Sequence, residues 1–128
     1  MTQPHDSFVE FSHTYATLPE RFYTQVSPTA VAAPNLIAFN DGLASDLGIA
    51  RNALSAAELA AVCAGNRVPA GALPLAMAYA GHQFGSFVPQ LGDGRAVLLG
   101  EVRNARGERW DLHLKGAGLT PFSREGDG

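Results

Sequence analysis

Hydrophobic positions change their spacing along this chain, and each spacing predicts a different element. Near the start, Phe8, Phe11 and Tyr15 recur at intervals of three and four, the repeat of one face of a short helix. Leu18-Pro19-Glu20-Arg21-Phe22-Tyr23 breaks that repeat. Val26-Ser27-Pro28-Thr29 reads as extended, because a residue before proline avoids the helical region. A short apolar run over residues 34–39 is closed by the turn signal Asn40-Asp41-Gly42. Residues 43–48 predict a helix of one to two turns with Gly48 as its C-cap. Ser55 and Glu58 predict a capping box, opening a helix that runs to about residue 64 and stops at Gly65-Asn66. Pro-Leu-Ala-Met-Ala-Tyr-Ala at 74–80 predicts a further short helix with Pro74 in its first turn, left at Gly81-His82-Gln83-Phe84-Gly85. Beyond it the period changes. Residues 95–102 are β-rich, Asn104-Ala105-Arg106-Gly107 is a turn, and residues 109–115 return. In the return strand Trp110, Leu112 and Leu114 alternate with Asp111, His113 and Lys115, as in a half-buried strand. The predicted fold class is α+β: a helical and extended wrap over 1–80, leading into a small antiparallel sheet over 81–128. No internal repeat or linker divides the chain.

Composition narrows the function classes. The chain has 128 residues, of which 46% are hydrophobic and 16% charged, with 14 Gly and 8 Pro. That apolar content opposes disorder, and the glycine and proline mark a loop-rich domain with a modest core. A net charge of −3 and a pI near 5.7 oppose non-specific nucleic-acid or membrane-surface binding. The one cysteine, Cys63, has no partner for an internal disulfide. It lies beside the apolar run Leu59-Ala60-Ala61-Val62 and is expected as a small buried hydrophobe. The opening MTQPHDSFVEFSH has neither a basic segment nor an apolar core, and no apolar stretch approaches ~18 residues. A cytoplasmic bacterial-type protein is the expectation.

Three stretches could carry chemistry. Leu91-Gly92-Asp93-Gly94-Arg95 places two glycines before a strand, where backbone amides approach an anion closely and Arg95 adds a fixed charge. It lacks the strand-turn-helix setting of a Rossmann fingerprint and the Gly-Lys-Ser/Thr ending of a phosphate loop of the Walker type. Asp93-Gly94 reads equally as an ordinary hairpin turn. Lys115 lies on the polar phase of its strand, followed by Gly116-Ala117-Gly118; it is either a phosphate-reaching lysine or a solvated surface one. Ser123-Arg124-Glu125-Gly126-Asp127-Gly128 offers a second close-approach loop, in which Asp127 can accept from a nucleotide hydroxyl or amino group, or a plain turn. His5, His13, His82 and His113 share no metal-ligand spacing, and no nucleophile elbow or Cys-His pairing marks a hydrolase.

Ala80-Gly81-His82-Gln83-Phe84-Gly85, Gln90-Leu91-Gly92-Asp93-Gly94-Arg95-Ala96, the run from Leu114-Lys115-Gly116 through Ser123-Arg124, and Gly126-Asp127-Gly128 together resemble the SelO (YdiU) family. Leu18-Pro19, Phe22-Tyr23 and Leu47-Gly48 fit the opening of that family, so the resemblance covers nearly the whole chain. It implies a protein-kinase-like (pseudokinase) fold, of which this chain would be the N-terminal part of the N-lobe. It implies transfer of AMP from ATP to Ser, Thr or Tyr hydroxyls of proteins, with ATP flipped relative to ordinary kinases and pyrophosphate leaving. Carried over by position, Gly92, Gly94, Arg95, Lys115, Asp127 and Gly128 would contact the nucleotide. Family members are several hundred residues long. The glutamate partner of the lysine, the catalytic aspartate and the ligands of Mg2+ (or Mn2+) are therefore expected outside these 128 residues. No catalytic or metal-binding residue is assigned within them, and the chain alone is expected to be inactive and to bind ATP weakly at best. The rival expectation is a non-catalytic nucleotide-binding or truncated module.

Overall fold

The computed structural model describes residues 8–125. Its two helices start and stop where side chains satisfy their ends. Helix α1 (Asp41–Leu47) is capped by Asn40, whose side chain accepts from the Leu43 amide at 3.0 Å. It ends at Gly48, whose N–H returns to Ala44 and Ser45. Helix α2 (Ala56–Ala64) opens on the expected capping box: Ser55 Oγ accepts from the Glu58 amide at 3.1 Å, and the Glu58 carboxylate accepts from the Ser55 amide at 2.9 Å. Gly65 closes it. Leu59, Ala60 and Val62 turn inward.

The strands are β1 (Tyr23–Gln25), β2 (Leu75–Met77), β3 (Gly81–Gln83), β4 (Ser86–Val88), β5 (Ala96–Arg103) and β6 (Arg109–Lys115). Four of them form an antiparallel sheet in the order β1-β2-β5-β6, and β3 and β4 form a separate hairpin. Buried Asn104 builds the β5–β6 turn, its Oδ1 accepting from the amides of Arg106 and Glu108. β5 is buried from Val97 through Val102 and forms the middle of the molecule. Val102 packs with Phe8, Val9, Leu47, Leu59 and Val62, which joins the helices to the sheet. Val97, Leu99, Leu114 and Ala117 make a second cluster near the end of the sheet that carries the site.

The α+β architecture and the β5–β6 hairpin match expectation; the strand at 95–102 begins and ends one residue later than its pattern indicates. Four expectations fail. Residues 74–80 are not a helix. Their Ala, Met and Leu favour helix by propensity, but Leu75 and Ala76 lie at 1% and 0% exposure between β1 and β5, and that burial outweighs propensity. Phe8, Phe11 and Tyr15 do not share a helix face. Ser12 bridges to Glu101 in extended form, and only Tyr15–Thr17 turns, as a 3-10 helix. Asn40-Asp41-Gly42 is the start of α1 rather than a turn. Cys63 is exposed, not buried, although it lies one turn beyond the buried Leu59, because it falls in the last turn of α2.

Candidate functional site

The 91–95 run crosses from the β3–β4 hairpin to the start of β5, and every residue in it is tied down. The amides of Leu91 and Gly92 both donate to the Tyr79 carbonyl, at 2.7 and 3.1 Å. Asp93 lies alongside Met77: its N–H donates to the Met77 carbonyl at 2.8 Å, and its Oδ2 accepts from the Met77 amide at 2.9 Å. Its other carboxylate oxygen accepts from the Tyr79 hydroxyl at 3.1 Å. Burial, and then the charge of Asp93, push the Tyr79 phenol up, so it stays a donor. The Asp93 carbonyl accepts from Thr120 Oγ1 at 2.5 Å, the Gly94 carbonyl from Ser123 Oγ at 2.6 Å, and the Arg95 carbonyl from the Gly116 amide at 3.0 Å.

The hairpin reading of Asp93-Gly94 is therefore wrong: the run pairs with β2 and the 116–123 segment, and closes no pair of adjacent strands. Its glycines are required by packing. A side chain at Gly92, where φ is +63°, would meet the Phe122 ring at 2.5 Å, and one at Gly94 would meet the Phe122 carbonyl at 3.0 Å.

The run forms one wall of a cavity of about 410 Å³. The register pairs Ala96 with Lys115, so Lys115 lies close to Arg95 just before β5, and both line the cavity together with Arg124. Neither Arg95 nor Lys115 has an ion-pair or hydrogen-bond partner for its side chain among the described residues. The backbone amides of Gly94 and Arg95 likewise donate to no group among the described residues, in contrast to those of the three residues before them. Successive undonated amides beside fixed cationic side chains are the arrangement that holds an anion.

The apolar side of the cavity is Leu91, Tyr79 and Phe122, with Gln83 at the end of β3. Gln83 Oε1 is buried and accepts no hydrogen bond among the described residues. The residues that follow form the hairpin tip, where Phe84 holds φ +53° and is 95% exposed.

The structure thus brings Gly92, Gly94, Arg95 and Lys115 to one cavity, while Asp127 and Gly128 lie outside the described residues. Sequence reasoning missed Tyr79, Gln83 and Phe122 as cavity residues. Tyr79 was concealed inside the mistaken helix, and Phe122 carries no local signal, since only the fold lays it on Gly92. His82 is exposed and packs its ring on Phe87. No group of three or more His, Cys, Asp or Glu among the described residues could hold a metal ion. No helix among them is long and apolar enough to cross a membrane.

A small α+β unit offering fixed cations and open amides to one cavity is suited to phosphate-bearing ligands, and comparison with known proteins gives that class a family. Proteins named protein nucleotidyltransferase YdiU are similar to this chain. One from Bradyrhizobium sp. is 61% identical over 118 residues, covering 92% of this chain and 24% of its own length. Another from Agrobacterium fabrum is 62% identical over 120 residues, covering 94% and 25%. A third, from Alkalilimnicola ehrlichii, is 57% identical over 125 residues, covering 98% and 25%. A family model described as protein adenylyltransferase SelO matches residues 7–128. The chain belongs to the SelO family, a nucleotidyltransferase family, and spans about a quarter of the length of the curated relatives it matches.

Proposed function

We propose that this chain forms the phosphate-binding wall of a protein adenylyltransferase with a kinase-like fold. The reaction is transfer of AMP from ATP to a Ser, Thr or Tyr hydroxyl of a protein. The hydroxyl oxygen bonds to the α-phosphorus, the bond from that phosphorus to the bridging oxygen breaks, and pyrophosphate leaves with the charge. The hydroxyl proton passes to a base that the described residues do not supply. The observation that carries this reading is that Arg95 and Lys115 line one cavity, neither with an ion-pair partner among the described residues, next to the undonated amides of Gly94 and Arg95. These groups bind and orient phosphate oxygens and offset the charge that builds on the leaving group. Gly92 and Gly94 let the wall pack closely on Phe122. Asp127 and Gly128 are proposed as further nucleotide contacts.

A divalent cation, Mg2+ or Mn2+, is the usual companion of such chemistry. The described residues do not fit one: they contain no ligand cluster, and Asp93, the buried carboxylate of the cavity, is fully engaged by Met77 and Tyr79. No step is therefore assigned to a metal here. Glu125 also lines the cavity, but a single further carboxylate makes no ligand set for a metal ion among the described residues.

Titration calorimetry with ATP tests the reading. Arg95→Ala and Lys115→Ala should each weaken binding by about tenfold, the loss of one charged hydrogen bond. Unchanged binding in both removes the proposal. With labelled ATP and magnesium, the 128-residue chain should transfer no AMP to protein. Metal-dependent labelling would show that the chain holds a base and a metal site after all.

A further inference from the structure

We propose that Asp93 is the positioning residue of this cavity: its carboxylate holds the 91–95 run against β2, so that the open amides of Gly94 and Arg95 stay beside Lys115. The inference rests on the nucleotide reading above and names a residue that the reading does not use. Asp93 is 6% exposed although it sits at a cavity wall. Among the described residues its side chain meets no cation. It takes the place of a strand instead. β2 pairs with β5 only at Leu75 and Leu98, and at Met77 no residue of β5 lies opposite. There Asp93 gives its N–H to the Met77 carbonyl at 2.8 Å and receives the Met77 amide on Oδ2 at 2.9 Å. The carboxylate thus acts as a peptide carbonyl would and extends the ladder by one rung. Oδ1 receives the Tyr79 hydroxyl at 3.1 Å, while the Tyr79 carbonyl takes the Leu91 and Gly92 amides. From Asp93 onward the pattern reverses. The carbonyls of Asp93, Gly94 and Arg95 are all occupied, and the amides of Gly94 and Arg95 are not. Asp93 is the point at which the run stops giving its N–H groups to the fold and leaves them for a ligand.

The geometry predicts which substitutions matter. Asp93→Ala leaves the Met77 amide and the Tyr79 hydroxyl without an acceptor and releases the run. Asp93→Asn keeps the shape: its amide oxygen can accept from Met77, and its NH2 can donate to the Tyr79 hydroxyl oxygen. Tyr79→Phe removes one contact and keeps the ring.

The test is an NMR titration of the isotope-labelled 128-residue chain with ATP up to millimolar levels, reading the Gly94 and Arg95 amide shifts. Each variant is measured at a temperature where circular dichroism shows it folded. Asp93→Ala should weaken ATP binding by about tenfold, Tyr79→Phe by about threefold, and Asp93→Asn should recover most of the loss. A purely structural Asp93 would lower the melting temperature and leave the dissociation constant of the folded chain unchanged, and that result overturns the inference. Should Asp93→Ala fail to fold, Tyr79→Phe decides in the same way. If the unsubstituted chain shows no shift at Gly94 and Arg95, the nucleotide reading falls and this inference with it. If that chain binds and the variants bind equally well, only the inference falls.

Discussion

Two glycine-marked segments, the β3–β4 tip and the cavity wall at 91–95, are built in opposite ways. At the β3–β4 tip, Phe84-Gly85 reverses the chain with both residues at positive φ, and a side chain added at Gly85 would meet nothing within 4 Å. In the 91–95 run, a side chain at Gly92 would strike the Phe122 ring, and every residue is hydrogen-bonded to β2, to Tyr79 just beyond it or to the 116–123 segment. The tip uses glycine for its backbone angles, the wall for close approach as well. A glycine in a sequence does not say which applies. The difference shows in its neighbours, and here it separates a loose projection from a rigid wall.

Substitutions can break this comparison. The largest effect is expected at Gly92→Ala, where overpacking against Phe122 adds to left-handed strain, for a loss of about 3 kcal/mol. Gly85→Ala carries the strain alone and should cost about 1 kcal/mol. Thermal denaturation followed by circular dichroism gives both, and equal costs would show that the two segments are not different in kind. Phe84→Asn should move the other way. Asn tolerates the left-handed region and suits the first position of such a hairpin, so a gain of about 1 kcal/mol is expected, read as a rise of several degrees in the melting temperature.

The smallest effect is alkaline. Burial first, then Asp93, raise the Tyr79 pKa above 10.0. A group whose pKa is raised on folding contributes stability that is fully present below its unfolded pKa and is lost as pH rises through the folded one. The Tyr79–Asp93 contact should therefore weaken above about pH 10, and Tyr79→Phe should flatten the decline of melting temperature between about pH 9 and 11. An identical decline in Tyr79→Phe would exclude this contact as its source. The hairpin tip, without a titrating contact of this kind, should show no such dependence.

The parts of the fold that were legible from sequence are those whose causes are local. The capping box at Ser55 and Glu58, the left-handed ends at Gly48 and Gly65, and the Asn104–Gly107 turn each depend on residues a few positions apart. β2 was hidden because its helical composition is overruled by neighbours far away in sequence, Tyr23 on one side and Leu98 on the other. The candidate site divides in the same way. The charges Arg95 and Lys115 stand out in their motifs. Their adjacency depends on the register of β5 with β6, which the hairpin turn sets as far as Gly100 and a bulge between Leu98 and Gly100 then shifts by one residue. The part played by Asp93 could not be read, since it depends on a strand that composition disguised as a helix.

The chain's single tryptophan, Trp110, is already 46% exposed in the folded protein, although on β6 it pairs across the sheet with the core residue Val102. Its emission should be red-shifted before any denaturant is added and should change little as the chain unfolds. A flat fluorescence trace would then be an optical property of one indole and no sign of a molten chain. The same exposure leaves Trp110 free to report on whatever approaches the outer edge of the sheet, five positions before Lys115 along the same strand.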